Sequence, residues 1–272
     1  MSVIHQRLVW GAFINLLLAV GAYRKQAVSP SGGITGVVLG TCIFIGGGFY
    51  FWLHLGAFFL SSTILGRISS TSKLSGVKTH DKNGRRDGIQ VFSNTAPAAA
   101  ASLIYVFYPG PVSLVAFAAS FAAANADTWA GEIGMLTSGS PVSILDGQPL
   151  PPGTSGAVTV QGLWASFFGS LFIAVFFGGG YALLMGFNPR ILPWMGIVVL
   201  CGFLGSVVDS LLGAAFQAKY LCAVTQQHTE RPLTDGRPNL LVKGYSCINN
   251  DMVNLISVSA MTAAAALLAL IV

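Results

Sequence analysis

Long apolar runs separated by three polar stretches make up this chain. The apolar runs cover residues 8–22, 34–68, 96–125, 158–187, 191–216 and 252–272. A helix needs about 20 predominantly apolar residues to cross a membrane, so this pattern predicts about seven spans, with about six and about eight as bounds. We therefore expect an all-α fold, a polytopic integral membrane helical bundle that forms one domain over residues 1–272. The first run is interpreted as a retained span, with a cleaved signal peptide as the alternative.

Two of these runs contain helix-breaking residues. The run at 34–68 is longer than one crossing requires, and its triple-glycine sequence at 46–48 predicts a turn between two short or tilted spans. A Pro-Gly-Pro sequence at 109–111 predicts that the run at 96–125 is a hairpin of two short helices. Asn94 is typical of helix N-caps, so the first of these helices is expected to begin near residue 96, with Pro97 in its first turn.

Composition excludes a soluble globular protein. Hydrophobic residues make up 53% of the chain and charged residues only 8%, whereas about 25% of an ordinary soluble domain is charged. The excess of 14 Lys and Arg over 9 Asp and Glu is typical of cytoplasmic loops in a membrane protein, so we expect the lipid bilayer and no nucleic acid among the partners. The four cysteines have no CxxC or Cys/His spacing, which argues against a disulfide framework or a zinc site.

Three polar stretches connect the apolar runs. Residues 67–95 hold six basic side chains, which the positive-inside tendency places in the cytosol. Residues 126–157 form an acidic, Gly- and Pro-rich loop without Lys or Arg, and residues 218–251 form a mixed polar loop. If the breaks at 109–111 and 188–189 are tips on the opposite side, all three stretches share one face. We expect the chemistry on this cytosolic face and, for a eukaryotic chain, a location in the endoplasmic reticulum or another endomembrane.

Asp209 is the clearest candidate for function, because an acidic residue inside a membrane span costs about 2.5–3.5 kcal/mol. Gly205, Asp209 and Gly213 follow one another at intervals of one helical turn. This spacing puts the carboxylate on a stripe of small residues, where another backbone or a ligand can approach closely. Helix packing, with the acid satisfied by a neighbour, is the alternative interpretation. Such packing needs the glycines but not the charge.

A second acidic cluster lies at the end of the Ala-rich span. If this segment is helical, Asn125, Thr128 and Glu132 share one face, and Asp127 lies on the adjacent face. Four oxygen-bearing side chains within about two turns suit Mg²⁺, which usually binds one or two carboxylates together with water and substrate phosphates. Helix capping is the alternative, and it would explain only one of these residues.

The two acidic segments share a pattern. Asp127 is followed by Thr128 and Gly131, and Asp209 is followed in the same spacing by Ser210 and Gly213. Membrane proteins often carry duplicated halves with the functional site at the interface between them, so the pattern indicates an internal repeat. Chance similarity over five residues is the alternative.

A third polar cluster opens the last span. Asn250 and Asn254 are one helical turn apart, and Asp251 lies beside Asn250. These side chains would add oxygen ligands to a cation site. An N-cap formed by Asn250 or Asp251 is the alternative, and it would explain one residue of the three.

Two segments are candidates for phosphate binding. The first is the turn Gly153-Thr154-Ser155-Gly156, whose backbone N–H groups precede a predicted helix and could surround an anion. The second combines the basic residues Lys73, Lys78, Arg85 and Arg86 with Gln90 and Asn94. Arginine presents paired donors to phosphate oxygens, and lysine supplies a point charge. A loop attracted to anionic lipid is the alternative, and it would explain the basic residues but not the two amides.

Five ordered motifs together resemble those of the integral-membrane family that includes the plant phytyl-phosphate kinase of tocopherol synthesis and its animal, fungal and prokaryotic transmembrane relatives. The motifs lie at residues 84–94, 127–134, 152–159, 205–213 and 249–254, so the resemblance covers most of the chain. Two positions depart from the family pattern: Ser155 stands where relatives often have Asn, and Asp87 stands where an uncharged residue is common. We expect no plastid transit peptide here, so neither a chloroplast location nor phytyl as the natural chain is assumed.

The resemblance implies a membrane-embedded catalytic domain that transfers the γ-phosphoryl group of CTP, or another nucleoside triphosphate, to an isoprenoid monophosphate. Phytyl, geranylgeranyl and farnesyl phosphate are the candidate acceptors, and the product is the diphosphate. Phosphoryl transfer needs positioning and charge neutralisation more than covalent chemistry, so Mg²⁺ or Mn²⁺ and basic side chains fit the reaction. The expected metal ligands are Asp127, Glu132, Asp209, Asp251, Asn125, Asn250 and Asn254. The expected catalytic residues are Asp127, Glu132, Asp209, Arg85 and Arg86. The expected substrate- and phosphate-binding residues are Lys73, Lys78, Gln90, Asn94, Gly153, Thr154, Ser155, Gly156 and Ser210.

A transporter or channel for phosphorylated or anionic solutes is the alternative function, because intramembrane acids and broken helices occur in that class too. A transport path would place the acids near the midplane, whereas Asp127, Glu132 and Asp251 lie at predicted span ends beside a basic loop. An enzyme that makes a CDP-linked lipid is a third interpretation. The chain lacks the DGxxAR…G…D…D pattern of the alcohol phosphotransferase class.

Overall fold

The computed structural model describes residues 2–72, 85–136 and 139–272. These residues contain seven α-helices: α1 Val3–Arg24, α2 Pro30–Ser72, α3 Gly88–Phe107, α4 Pro111–Gly134, α5 Val160–Met185, α6 Ile191–Ala215 and α7 Asn250–Ala269. Within the described residues, five helices are long and apolar enough to cross a membrane, namely α1, α2 over residues 30–69, α5, α6 and α7. The predicted all-α, polytopic membrane architecture is therefore confirmed.

Helix α2 folds back on itself at the triple-glycine sequence. Gly48 has a φ of +61°, a left-handed conformation that glycine adopts without steric cost. The side chain of Arg67 donates to the carbonyl of Lys25 at 3.2 Å, so the end of α2 lies beside the residues that precede its start. A straight helix would separate residues 30 and 67 by about 55 Å. The predicted break is confirmed, and α2 consists of two antiparallel halves, residues 30–47 and 49–72.

The start of α3 differs from the prediction. The helix begins at Gly88 because the Asp87 carboxylate accepts a hydrogen bond from the backbone N–H of Gln90 at 2.9 Å and caps the first turn. Asn94 is an interior residue whose amide donates to the carbonyl of Gln90 at 3.0 Å, and Pro97 also lies inside the helix. The predicted hairpin is confirmed, since α3 ends at Phe107 and α4 begins at Pro111.

Successive helical segments run in opposite directions, so their polar connections gather at one end of the bundle, which we call the polar end. There the carbonyl of Arg86 accepts from the N–H of Ser29 at 2.9 Å, and the ammonium of Lys219 donates to the carbonyl of Ser155 at 2.9 Å. Glu132 also lies at this end, beside Gly66. The described parts of the three polar stretches therefore share one face of the bundle.

Short antiparallel strands order the connections at the polar end. Strand β1 Val142–Ser143 pairs with β2 Ala157–Val158, with Val142 opposite Val158. Strand β3 Lys219–Leu221 lies between β4 His228–Thr229 and β7 Leu240–Lys243, and β5 Leu233–Thr234 pairs with β6 Arg237–Pro238. These small sheets hold the segments that contain Ser155 and Lys219 close to the end of α6.

Helix α4 forms the centre of the bundle. Every residue from 113 to 126 is buried, and the helix contacts α3, α5, α6 and α7. A side chain on Gly202 of α6 would begin 2.8 Å from Cβ of Ala122, and one on Gly205 would begin 2.6 Å from Cβ of Ala123. Small residues permit such close approach, which drives helix association in membranes. This packing holds α4 and α6 side by side where their acidic residues occur.

Candidate active site

Two acidic residues from neighbouring helices form the centre of the site. Asp127 of α4 and Asp209 of α6 lie near enough for their carboxyl groups to interact electrostatically. The hydroxyl of Ser257, from α7, donates to Oδ2 of Asp209 at 2.9 Å. Both acids are half-buried. The structure thus brings together the two segments that share the Asp-(Thr/Ser)-x-x-Gly pattern, on helices that run parallel.

The depth of this pair bears on its function. Asp127 lies seven residues before the end of α4 at Gly134, and Asp209 lies six residues before the end of α6 at Ala215. At 1.5 Å per residue, both carboxylates are about 10 Å below the polar end. They therefore lie nearer the polar end than the middle of the bundle.

Glu132 and Arg86 form a second charged group nearer the polar end. The Arg86 guanidinium lies 5.9 Å from the ring centre of Phe58 and 5.6 Å from that of Phe59. Burial lowers the pKa of Arg86, and the nearby charge of Glu132 opposes this shift. The backbone N–H of Arg86 is also held by the carbonyl of Ala27 at 3.0 Å. The opposite charges of Glu132 and Arg86 therefore interact, and the neighbouring Arg85 is half-buried.

Asn125 faces away from the acidic pair and joins three helices. Its Oδ1 accepts a hydrogen bond from the hydroxyl of Ser61 on α2 at 2.9 Å. Its amide group donates to the carbonyl of Gly169 on α5 at 2.8 Å. The side chain is fully buried. Because both ends of the amide already make hydrogen bonds, Asn125 is not placed to bind a metal ion held by the acidic pair.

The start of α7 is capped by a residue that the sequence did not single out. Asn249 accepts the backbone N–H of Met252 at 2.9 Å, so neither Asn250 nor Asp251 is the N-cap. Asn250 is exposed, Asp251 is half-buried, and Asn254 is buried one turn before Ser257. In the described part of the chain, no group of three or more His, Cys, Asp or Glu side chains is placed to hold a metal ion. The predicted seven-residue ligand set therefore does not converge as a whole.

The predicted phosphate turn occupies a different position from the expected one. Helix α5 begins at Val160, with Thr159 as its N-cap, so strand β2 separates Gly156 from the helix. The turn packs instead on the end of α6, where a side chain on Gly156 would begin 2.3 Å from Cβ of Ala214. Gly153 and Gly156 have positive φ values of 78° and 82°. Glycine thus forms the turn, but the turn does not lie at the N-terminus of a helix.

The remaining predicted residues divide into two groups. Gln90, Asn94 and Ser210 are half-buried on helices at the polar half of the bundle, and Thr154 and Ser155 are half-buried in the turn. Lys73 and Lys78 lie outside the described residues.

Sequence reasoning missed three polar residues near the site. Ser257 fixes one oxygen of Asp209, and Lys219 contacts the phosphate turn. Burial lowers the pKa of Lys219, the nearby Lys243 lowers it further, and Glu230 opposes the change. Gln217 lies just past the end of α6 and is buried, with 2% of its surface exposed. The only sequence signal for Gln217 is its spacing of eight residues from Asp209.

A family model matches residues 13–262 of this chain. The chain belongs to the integral membrane protein family DUF92. This match confirms the family that the five motifs indicated. No solved structure matches the chain.

The DUF92 relatives cover most of the chain. Protein PGR of Arabidopsis thaliana is 26% identical over 275 residues, covering 93% of this chain and 92% of the relative. The uncharacterized membrane protein sll0875 of Synechocystis is 29% identical over 212 residues, covering 76% and 79%. Protein VTE6, chloroplastic, of Arabidopsis thaliana is 24% identical over 253 residues, covering 90% and 67%.

Proposed function

We propose that this DUF92 protein is a metal-assisted kinase that transfers the γ-phosphoryl group of CTP, or another nucleoside triphosphate, to an isoprenoid monophosphate. The observation that carries the proposal is the Asp127–Asp209 pair on adjacent parallel helices below the polar end. The motif resemblance to phytyl-phosphate kinases supplies the reaction class. The chain is also similar to the chloroplastic VTE6 protein over 90% of its length.

The acidic pair suits a divalent cation. Two carboxylates near each other in a low-dielectric interior repel unless a cation or a shared proton lies between them. Mg²⁺ is commonly held by one or two carboxylates, with water and substrate phosphates completing its shell. Two carboxylates are therefore enough, although among the described residues no third acid joins them in a group that could hold a metal ion. Asp127 and Asp209 would hold Mg²⁺ or Mn²⁺, with Ser257 bound to Asp209 and Asn254 one turn before Ser257 on α7. When bound, the ion neutralises charge on the transferring phosphoryl group.

The protein residues would bind and orient the two substrates. The phosphate oxygen of the acceptor is already nucleophilic at neutral pH, so the reaction needs no general base. Arg85, Lys73 and Lys78 belong to the connection before α3 and would bind phosphate oxygens, whereas Arg86 interacts electrostatically with Glu132. An open groove of about 560 Å³ lies beside this connection, lined by Ser31, Thr35, Asp87, Gly88, Ile89 and Phe92. Its apolar wall of Ile89 and Phe92 would accept the start of the isoprenoid tail, which continues into the bilayer.

The depth of the acids favours an enzyme over the alternative transporter. A transport site lies near the midplane with access from both sides. Asp127 and Asp209 instead lie in the polar-end third of their helices, and the centre of α4 below them is closed by buried Ala and Phe side chains. This arrangement supports chemistry at one membrane face.

Product analysis tests the proposal. Purified protein in detergent is incubated with Mg²⁺, labelled CTP or ATP, and farnesyl, geranylgeranyl or phytyl phosphate, and we expect a labelled prenyl diphosphate. Asp209→Asn should abolish the product, while Asp235→Asn should not, because Asp235 is exposed and has a φ of 49° that Asn also tolerates. Failure to form diphosphate from any pair of substrates, or equal product from Asp209→Asn, contradicts the proposal.

We also propose that the polar end faces the cytosol, on the basis of the six basic residues at 67–95. Cys247 is exposed at the polar end and serves as a native probe. A membrane-impermeant maleimide should label it from the cytosolic side of sealed vesicles. A Cys introduced by Asn188→Cys, at the opposite end, should react only from the other side. Labelling of Cys247 from the non-cytosolic side reverses the assignment.

A further inference from the structure

Gln217 is a buried amide without a hydrogen-bond partner. Only 2% of its surface is exposed, and among the residues that the structure describes neither Oε1 nor Nε2 has a partner. Its backbone is fixed, because Gln217 bridges to Tyr245 and the next N–H, from Ala218, donates to Ile248 at 2.8 Å. Leaving a buried polar group unpaired costs about 1–3 kcal/mol. Such a group in a fixed position indicates a ligand or another function.

The amide lies on the same stripe of α6 as the catalytic carboxylate. Asp209, Gly213 and Gln217 are spaced by four residues each and so follow one another along one face. From the point where a side chain on Gly213 would begin, Cβ of Ser155 is 3.4 Å away, the N–H nitrogen of Gly156 is 3.5 Å away, and Oε1 of Gln217 is 3.6 Å away. At Gly213 the helix, the glycine turn and the amide of Gln217 therefore lie close to one another.

We propose that Gln217 binds the nucleobase of the nucleotide donor, an inference that rests on the kinase function proposed above. A primary amide presents one acceptor and two donors side by side, which complements the edge of a nucleobase. Phosphate would use only the two N–H donors of the amide, whereas a nucleobase edge uses the acceptor oxygen as well. Lys219, which contacts the Ser155 carbonyl at 2.9 Å, brings positive charge to the same turn.

The spacing along α6 fits a nucleoside triphosphate. Eight residues separate Asp209 from Gln217, which corresponds to about 12 Å along a helix. This distance is within the reach of the triphosphate chain of a nucleotide whose base is held at Gln217.

Equilibrium binding with the full-length protein tests this assignment without requiring turnover. CTP, UTP, ATP, GTP and inorganic triphosphate are titrated with Mg²⁺ into the parent, Gln217→Met and Gln227→Met. Methionine has nearly the size of glutamine, and removing an unpaired amide is expected to leave the melting temperature unchanged or raise it. Gln227 is an exposed glutamine in the same connection and is the matched control.

Gln217→Met should raise the Kd of the preferred nucleotide about tenfold, because about two neutral hydrogen bonds are lost. The Kd of inorganic triphosphate should not change, and discrimination between bases should fall, while Gln227→Met should behave like the parent. Unchanged nucleotide affinity in Gln217→Met, or an equal loss for inorganic triphosphate, overturns the assignment. Base-dependent binding by a parent that phosphorylates no prenyl phosphate overturns the proposed kinase but not this site. A parent that binds no nucleotide overturns both.

Discussion

Helices α1 and α4 are both apolar, yet they occupy opposite environments. Helix α1 qualifies as a membrane span by its hydropathy, but only 11% of its most apolar window is buried in the protein. Helix α4 does not appear among the described helices with that hydropathy, although every residue from 113 to 126 is buried. Side chains such as Trp10, Phe13 and Leu17 of α1 are more than half exposed. Of these two helices, the one that qualifies as a membrane span is thus at the edge, and the one that does not is at the centre.

Residue size explains this difference. Hydropathy measures transfer from water to lipid, but it does not measure how closely two helices can pack. Alanine and serine on α4 allow neighbours to approach from several sides, whereas the bulky side chains of α1 fill space that lipid tails fill equally well. A central position also shields polar groups, and α4 is the helix that carries Asn125 and Asp127. The comparison predicts that changes at α4 have large effects and changes at α1 small ones.

Removing the charge of Asp127 on α4 is expected to have the largest effect. Asp127→Asn keeps the shape and one oxygen but removes a charged ligand, so we expect turnover to fall about 100-fold or more while the protein still inserts. Higher Mg²⁺ should restore part of the rate, since metal affinity is weakened.

In contrast, Arg85→Ala should weaken substrate binding in a way that Mg²⁺ does not repair, and Arg85→Lys should recover only part of that binding. The measurement is the initial rate against Mg²⁺, nucleotide and prenyl phosphate. An identical Mg²⁺ response in both variants would show that their roles are not divided as proposed.

The packing around α4 is tested by adding one methyl group. Gly202→Ala places a Cβ 2.5 Å from Cβ of Ser170 and 2.8 Å from Cβ of Ala122, so α6 must move away from α5 and α4. Overpacking of this kind costs about 1–3 kcal/mol. We expect a lower melting temperature in detergent and, because α6 carries Asp209, a lower rate as well. A melting temperature equal to that of the parent would mean that α4 is less tightly packed than the structure shows.

The hydrogen bond from α7 to the acidic pair should have a smaller effect. Ser257→Ala removes the donor to Oδ2 of Asp209, and a hydrogen bond to a charged group contributes about 1.5–3 kcal/mol. We expect the rate to fall about tenfold with the melting temperature little changed. Ser257→Thr retains a hydroxyl and should preserve more of the rate than Ser257→Ala does. Equal rates for the two variants would assign Ser257 to packing alone.

The smallest effect is expected on α1. Gly21 is exposed, and a side chain added there would meet no atom within 4 Å. Gly21→Ala should therefore leave activity unchanged and raise stability by up to about 1 kcal/mol, because alanine favours the helix. The matched comparison is with Gly202→Ala, which adds the same methyl group at the centre of the bundle. A loss of stability at Gly21 would place α1 against another surface instead of lipid.

Local sequence was sufficient for the breaks and for the most important acids. The turn at 46–48 and the hairpin at 109–111 were predictable because glycine and proline act on the backbone wherever they occur. Asp209 was identifiable because a charge in an apolar run is costly in any fold. The predicted start of α3 was wrong. Asp87 and Asn94 are equally good N-cap residues, so the sequence alone did not show which of them begins the helix.

Tertiary structure alone decided which polar side chains meet. The helices are apolar on most sides, so periodicity does not fix how each one is rotated about its axis. That rotation is set where small residues interlock, as Gly202 and Gly205 do with Ala122 and Ala123. Once α4 and α6 are locked in this register, Asp127 is brought near Asp209, while Asn125 turns to Ser61 and Gly169. Sequence determined that charged groups exist in the membrane, and close packing determined their partners, because only packing fixes the angle and height at which helices face each other.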